Sequence, residues 1–248
     1  MPIAVRTRRP RRMAYACGVA AAGILLVAMA APRLCAGVAV LSADPVLRQV
    51  LDRQPVSDLE LERLAESRRE ALSWHAVGRT GTDLGLALLL RAERKPVLLI
   101  DRDLDPVREA IVDGLARAPA APHAWLRLAT VERAIAGDTA KVARLVEMSI
   151  LTGPGEREIL FPRLLLGLPA LRRDEGRLHE LLLVELDWAW RADRSRTVDA
   201  VWATGTEEVL QSLLRQRHPQ DVGLLERMLA LQGSASAIPA SPKKHHSL

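Results

Sequence analysis

Two aspartates, Asp101 and Asp103, follow four apolar residues at positions 97–100. Carboxylates can serve as nucleophiles, as acid/base groups or as ligands of Mg²⁺. With Asp105 they also imitate the start of a calcium-binding loop. That loop requires Gly at its sixth position and Glu at its twelfth, where this chain has Pro106 and Val112. The calcium pattern therefore fails, and we expect a solvated acidic loop between helices.

Residues 97–103 resemble the nucleophile motif of haloacid-dehalogenase-type phosphatases. The resemblance implies a Mg²⁺-dependent phosphatase with Asp101 as nucleophile and Asp103 as acid/base. The Thr/Val-rich continuation of that family is replaced here by residues 104–106, and its alternating strands are missing from the pattern. Asp105 is better explained as a helix N-cap before Pro106. The phosphatase is thus an alternative reading, and a helix over residues 97–100 would remove its basis.

Other catalytic and metal-binding patterns are missing from the sequence. The histidines outside the tail are scattered and form no zinc-binding spacing, and they are His75, His123, His179 and His218. No phosphate-cradling glycine loop and no Gly-x-Ser-x-Gly motif occurs. We therefore expect no catalytic residue, no cofactor and no metal, and we interpret the protein as non-catalytic.

Tryptophans are the best candidates for a contact surface. Trp188 and Trp190 lie two residues apart on a predicted helix, so they face different sides. One is expected in the core, and the other could contact a partner. Trp125 is expected mainly as a core wedge. The candidate partner-binding residues are Trp125, Trp188 and Trp190.

Charge is concentrated at the two ends of the chain. The 248 residues carry a net charge of +5. Residues 1–33 contain six arginines and no acid, Lys243 and Lys244 lie in the tail, and acids slightly exceed bases between these ends. The middle of the chain therefore lacks the basic excess of a nucleic-acid-binding protein. Contact between the basic ends and anionic lipid is the simpler interpretation.

An apolar run near the N-terminus predicts a membrane segment. Five basic residues precede the uncharged residues 13–31, and they are Arg6, Arg8, Arg9, Arg11 and Arg12. As a helix this run spans about 28 Å, close to the thickness of the hydrocarbon core. The arginines should stay in the cytoplasm, which orients the remainder towards the periplasm. The alternative is a signal peptide that is cleaved, with the product secreted to the periplasm.

The rest of the chain has the pattern of an all-α protein. Leu and Ala are abundant, aromatic residues make up only 3%, and no clear strand appears. Ser57 and Glu60 form a predicted capping box at the start of one helix, Gly78 and Gly81 are expected to end it, and Asp105-Pro106 is expected to begin another. The expected organisation is a basic cytoplasmic segment 1–12, a transmembrane anchor 13–31, a connector 32–56, a helical domain 57–231 and a disordered tail 232–248.

Residues 122–154 resemble one tetratricopeptide repeat. The Trp-x2-Leu-Gly pattern of that family resembles residues 125–129, its mid-repeat Gly resembles Gly137, and its closing Pro resembles Pro154. The spacing from Trp125 to Gly137 is one residue too long, and Glu132 replaces the usual aromatic residue. The resemblance implies antiparallel helical hairpins stacked into an α–α superhelix with a groove for a partner peptide or helix. An irregular helical bundle is the alternative.

These patterns together predict a membrane-anchored, non-catalytic scaffold or adaptor. We expect a single-pass protein of the bacterial inner membrane with a periplasmic helical domain that binds protein partners in an envelope complex, of the polysaccharide-export or secretion-assembly type. We expect no nucleic acid as a partner. A self-assembling structural membrane protein, which uses the small residues of the anchor and Cys35, is a further alternative.

Overall fold

The computed structural model describes residues 9–95, 97–137, 140–172 and 176–236, with the side chains of 9–14, 97–103, 172 and 235–236 excepted. Over these residues every regular element is helical, which confirms the predicted all-α class. The twelve α-helices are α1 (Arg9–Leu41), α2 (Asp44–Leu51), α3 (Asp58–Trp74), α4 (Gly78–Glu93), α5 (Val97–Arg117), α6 (Pro122–Ala136), α7 (Ala140–Thr152), α8 (Leu160–Gly167), α9 (Arg177–Ala192), α10 (Arg194–Thr204), α11 (Glu207–Arg217) and α12 (Val222–Ser236). Short 3₁₀ turns precede α8, follow it and precede α12.

The chain divides into two compact units after Ala118. Unit 1 contains α1 to α5, and unit 2 contains α6 to α12. The expected helical domain 57–231 thus contains parts of both units, and α1 and α2 of unit 1 lie before its first residue. The division falls between Ala118 and Pro119, in the short connection between α5 and α6, and Pro122 occupies the first position of α6, where proline is favoured.

Helix α1 is longer than the predicted anchor. It begins at Arg9 and continues through Pro32 to Leu41, so the helix extends beyond both bounds of the expected anchor 13–31. The expected connector 32–56 holds the end of α1 and all of α2. The extra turns of α1 persist because Ala36 and Ala39 are buried against Ala71 of α3. This packing stabilises helix beyond the apolar run, where sequence pattern alone gives little signal.

The start of α3 follows the prediction. The Oγ of Ser57 accepts a hydrogen bond from the backbone N–H of Glu60 at 3.3 Å. The backbone N–H of Ser57 in turn donates to Oε2 of Glu60 at 2.7 Å. This reciprocal pair confirms the capping box.

Helices α4 and α5 pack backbone to backbone. Helix α3 ends at Trp74, before the two glycines that were expected to end it, and Gly78 and Gly81 form part of the first turn of α4, where they face Gly114 of α5. A Cβ added to Gly114 would lie 2.6 Å from the backbone nitrogen of Thr82, so only glycine fits there. The expected start of a helix at Asp105-Pro106 is also wrong, because α5 begins at Val97 and Pro106 lies within it.

Unit 2 buries an apolar core around α8 and α9. Leu164, Leu182, Leu186 and Trp190 are almost completely buried. Helices α6 and α7 form a hairpin, and Gly137, just after α6, has a φ of 73°. Helix α12 continues to Ser236, so it includes the first five residues of the expected disordered tail 232–248. The remainder of that tail lies outside the described residues.

Candidate functional site

The N-terminal part of α1 is apolar and has no protein neighbour in the described structure. Every side chain from residue 15 to residue 31 is exposed, including Tyr15, Ile24 and Leu26. This stretch is about 25 Å long as a helix, close to the hydrocarbon thickness of a bilayer. The stretch Tyr15–Leu41 is long and apolar enough to cross a membrane. Exposure of apolar residues on all sides is unfavourable in water and favourable in lipid.

A buried arginine attaches the end of α1 to the rest of unit 1. Arg68 of α3 is completely buried. Its Nη1 donates to the carbonyl oxygen of Val40 at 2.8 Å, and its Nη2 donates to Oδ1 of Asp44 at 2.8 Å. The last carbonyls of a helix have no partner within the helix and carry partial negative charge, so a cation there is favourable. Arg68 thus satisfies the end of α1 and pairs with the acid that begins α2.

A serine from the same turn of α3 strengthens this junction. The Oγ of Ser67 donates to the carbonyl oxygen of Ala39 at 2.7 Å. Ser42 donates to that same oxygen at 2.8 Å. We call the set Ala39, Val40, Asp44, Ser67 and Arg68 the anchor junction. The anchor junction fixes the direction of α1 relative to the rest of unit 1, because its bonds join the backbone of α1 to buried side chains of α3.

Unit 2 presents a groove beside an exposed tryptophan. Trp188 of α9 is 39% exposed. With Gly155, Leu160 and the two cations Arg157 and Arg191 it borders a groove of about 590 Å³. We call this the Trp188 groove. The indole lies against Gly155, where an added Cβ would come within 3.2 Å of its ring.

The chemistry of the Trp188 groove suits an acidic ligand with an apolar side chain. Arg191 is held by Asp187 at 2.7 Å, which leaves one face of its guanidinium available. The side chain of Arg157 is exposed and has no hydrogen bond or ion pair among the described residues. An exposed indole offers apolar area, and arginines bind carboxylates through fixed donors.

A buried ion pair positions the two walls of the Trp188 groove. Arg163 of α8 donates to Oε1 of Glu185 at 3.1 Å and to the carbonyl oxygen of Gly153 at 2.9 Å. Glu185 lies one turn before Trp188 on α9, and Gly153 lies two residues before Gly155. Arg163 also caps the end of α7 through the carbonyl oxygen of Ser149 at 2.5 Å. The pair therefore ties the loop of the groove to the helix that carries its indole.

Burial shifts the pKa values of both members of this ion pair. Desolvation raises the pKa of Glu185, and the charge of Arg163 opposes that rise. Desolvation likewise lowers the pKa of Arg163, with Glu185 opposing. The Oε2 atom of Glu185 is buried and has no hydrogen-bond partner in the described part of the chain. Desolvation thus disfavours the charged form of both side chains.

The three tryptophans that were predicted to bind a partner differ in their exposure to solvent. Trp190 is buried, and its Nε1 donates to Oδ2 of Asp221 at 2.9 Å. Trp125 is half-buried, and its Nε1 donates to the carbonyl oxygen of Pro119 at 2.7 Å. Trp188 therefore offers the largest free indole surface of the three, whereas Trp190 is a core residue.

Several predicted residues lie wholly or partly outside the described structure. Arg6 and Arg8 are outside it. Arg9, Arg11 and Arg12 lie within α1, but their side chains are outside it, as are those of Asp101 and Asp103. The backbone at 97–100 is helical, so the strand that the phosphatase motif requires is not formed there. The described residues contain no cluster of three or more His, Cys, Asp or Glu suited to a metal ion.

Sequence reasoning missed the two buried arginines. Each is a charge beside apolar residues of an amphipathic helix, Arg68 between Leu64 and Leu72, and Arg163 between Leu160 and Leu164. A charge on such a face is rarely buried unless it is paired. An arginine on the apolar face of a helix was therefore the feature of the sequence that indicated a buried, paired side chain at both positions.

The comparisons with known proteins give no relative. No protein-family model, no curated protein and no solved structure matches this chain.

Proposed function

We propose that this protein is a single-pass inner-membrane adaptor whose helical part after the span lies in the periplasm and binds a protein of a bacterial envelope complex. The polysaccharide-export or secretion-assembly type of complex fits this arrangement. The role is non-catalytic. The observation that carries the proposal is the fully exposed apolar stretch of α1, joined to unit 1 through the anchor junction.

The orientation is proposed from charge. Five arginines precede the span, whereas Arg33 is the only basic residue in the first turns after residue 31. Basic residues near a span are retained in the cytoplasm. The N-terminus is therefore assigned to the cytoplasm, and a retained span keeps the helical units at the membrane, where effective concentration favours binding to membrane partners.

The proposed partner contact is the Trp188 groove. A segment with acidic side chains and at least one apolar side chain complements Trp188, Arg157 and Arg191. The repeat-like hairpin α6/α7 supports a role in binding proteins, since stacked helical hairpins form peptide-binding surfaces.

The test is cross-linked co-purification with matched variants. Wild type, Trp188→Ala, Arg157→Glu and Trp202→Ala are each tagged, cross-linked in cells and purified from gently solubilised membranes. Trp202 is a good control because it is also 39% exposed, on a different helix. We expect an envelope protein to be recovered with wild type and Trp202→Ala and to be lost with the other two variants.

Two results would contradict the adaptor proposal. Equal recovery with all four proteins would remove the Trp188 groove as the contact. Recovery of only a second copy of the chain, with a disulfide that Cys35→Ser abolishes, would support the self-assembling alternative instead.

A further inference from the structure

The helices of unit 1 run antiparallel, and this brings several helix ends together beside the exposed span. Ala36 packs near Ala71, and Ala39 accepts a hydrogen bond from Ser67, so residue numbers rise along α1 as they fall along α3. Trp74, at the end of α3, therefore lies level with the turn of α1 that contains Arg33.

The next two helices return to the same level. Arg94 at the end of α4 bonds Asp58 at the start of α3, so α4 is antiparallel to α3 and begins near Trp74. Gly78 at the start of α4 closely approaches Ala118, just after α5 ends. Arg79 and Arg117 consequently lie at the end of unit 1 that contains Trp74.

This end of unit 1 is basic and carries exposed apolar groups. Arg33, Arg79 and Arg117 are exposed. Trp74 is 52% exposed and Val77 is 40% exposed. We call these five residues the anchor-proximal face.

Acids are set back from this face. Glu70, Asp83 and Asp113 each lie four residues before or after a member of the face, which is about 6 Å further along the helix. The acidic positions are therefore about one helical turn behind the positions of the anchor-proximal face. The backbone carbonyl of Asp113 accepts from Arg117 at 2.8 Å, which leaves other donors of that guanidinium available.

We propose that the anchor-proximal face lies on the surface of an anionic bilayer, with Trp74 in the interfacial layer and the arginines on lipid phosphates. This inference rests on the proposed membrane anchoring, because the exposed span ends at residue 31, next to Arg33. Tryptophan is favoured at the membrane–water interface, and basic residues bind anionic headgroups. The face therefore holds unit 1 against the membrane instead of letting it project on α1.

The test uses the full chain reconstituted in two kinds of vesicle, phosphatidylcholine alone and phosphatidylcholine mixed with phosphatidylglycerol. Tryptophan emission is quenched either by lipids brominated near the headgroup or by acrylamide in water. The variants are Trp74→Phe and the pair Arg79→Gln/Arg117→Gln. The controls are Trp202→Phe and Arg63→Gln, since Arg63 is exposed near the opposite end of α3.

We expect Trp74→Phe to remove most of the emission that brominated lipid quenches, and Trp202→Phe to leave that emission unchanged. The quenched fraction gives the ratio of molecules with the anchor-proximal face on the bilayer to molecules with that face in water. A basic residue near an anionic surface contributes about fivefold to binding, so the double arginine variant should lower this ratio roughly 30-fold in mixed vesicles. Arg63→Gln should have no effect, and wild type should dock less in phosphatidylcholine alone.

Three results would overturn the inference. Trp74 quenched by acrylamide would show that the face is in water, and Trp74 reached by neither quencher would show that protein covers it. Equal quenching in both vesicle types would exclude recognition of lipid charge. Flotation of the vesicles after a carbonate wash separates the two proposals: a chain that no longer floats refutes the anchor, whereas a chain that floats with Trp74 unquenched by lipid refutes only the docking.

Discussion

Removal of the Arg68 guanidinium should release the end of α1 from unit 1. In Arg68→Met, the carbonyl of Val40 and the carboxylate of Asp44 both lose a charged donor at 2.8 Å. A hydrogen bond to a charged group contributes about 1.5–3 kcal/mol. The Asp44 side chain is 29% exposed and regains some hydration, so we expect a total loss of about 3 kcal/mol, near the lower end of the sum for two such bonds.

Hydrogen–deuterium exchange in detergent micelles measures this loss locally. A cost of about 3 kcal/mol increases the exchange rate of amides in residues 36–44 roughly 100-fold when exchange reports the opening equilibrium. The matched control is Arg69→Met, the next residue of α3. Arg69 is exposed, and its ion pair with Glu62 spans 3.9 Å, so its removal should cost under about 0.5 kcal/mol.

A double variant checks the mechanism. If Arg68 and Asp44 act through each other, Arg68→Met/Asp44→Asn costs less than the sum of the two single changes. Exchange at residues 36–44 that is equal in wild type and Arg68→Met would refute the reasoning. So would an equal acceleration in Arg69→Met, because the effect would then follow from general loss of charge.

Three further changes test packing and protonation in the core. Glu185→Gln leaves Arg163 buried without its charged partner and should lower the free energy of unfolding by about 3–5 kcal/mol, whereas the double variant Arg163→Met/Glu185→Leu should lower it much less. Denaturant titration monitored by circular dichroism measures both free energies, and equal losses in the two variants would contradict this prediction. Because the folded state raises the pKa of Glu185 above 4.5, wild type binds its proton more tightly when folded, so its unfolding free energy should fall as pH rises from about 4.5 through the folded pKa, and this component should be missing in Glu185→Gln. Gly114→Ala should cost about 1–3 kcal/mol through overpacking against Thr82, whereas Gly223→Ala, where an added Cβ meets nothing within 4 Å, should leave the melting temperature unchanged or slightly higher.

The sequence predicted those features that depend on residues only a few positions apart. The capping box of Ser57 and Glu60 depends on residues three apart, and both hydrogen bonds form. The different sides of Trp188 and Trp190 follow from helix geometry alone, and the structure buries one and exposes the other. Helix class and the turn at Gly137 were predictable for the same reason.

Features that depend on distant partners were not predictable. Gly78 and Gly81 are weak helix formers, yet they lie within α4 because their missing side chains let Gly114 approach. Packing of α5 on α4 likewise outweighs the tendency of Pro106 to begin a helix. Composition could not place α1 beyond residue 31, since its last turns are stabilised by Ala71 and Arg68 of another helix.

The most direct test of the account is the location of both ends of α1 relative to the membrane. Single-cysteine variants Glu66→Cys, at an exposed position of α3, and Arg6→Cys, before the span, are made with Cys17 and Cys35 replaced by serine. Spheroplasts of an expressing bacterium are treated with a membrane-impermeant maleimide, and membranes are then washed with carbonate. For a retained span with a cytoplasmic N-terminus, we expect a full-length, carbonate-resistant protein in which Glu66→Cys reacts in intact spheroplasts and Arg6→Cys reacts only after lysis. Release by carbonate, a shortened N-terminus by intact mass, or labelling of Glu66→Cys only after lysis would contradict it.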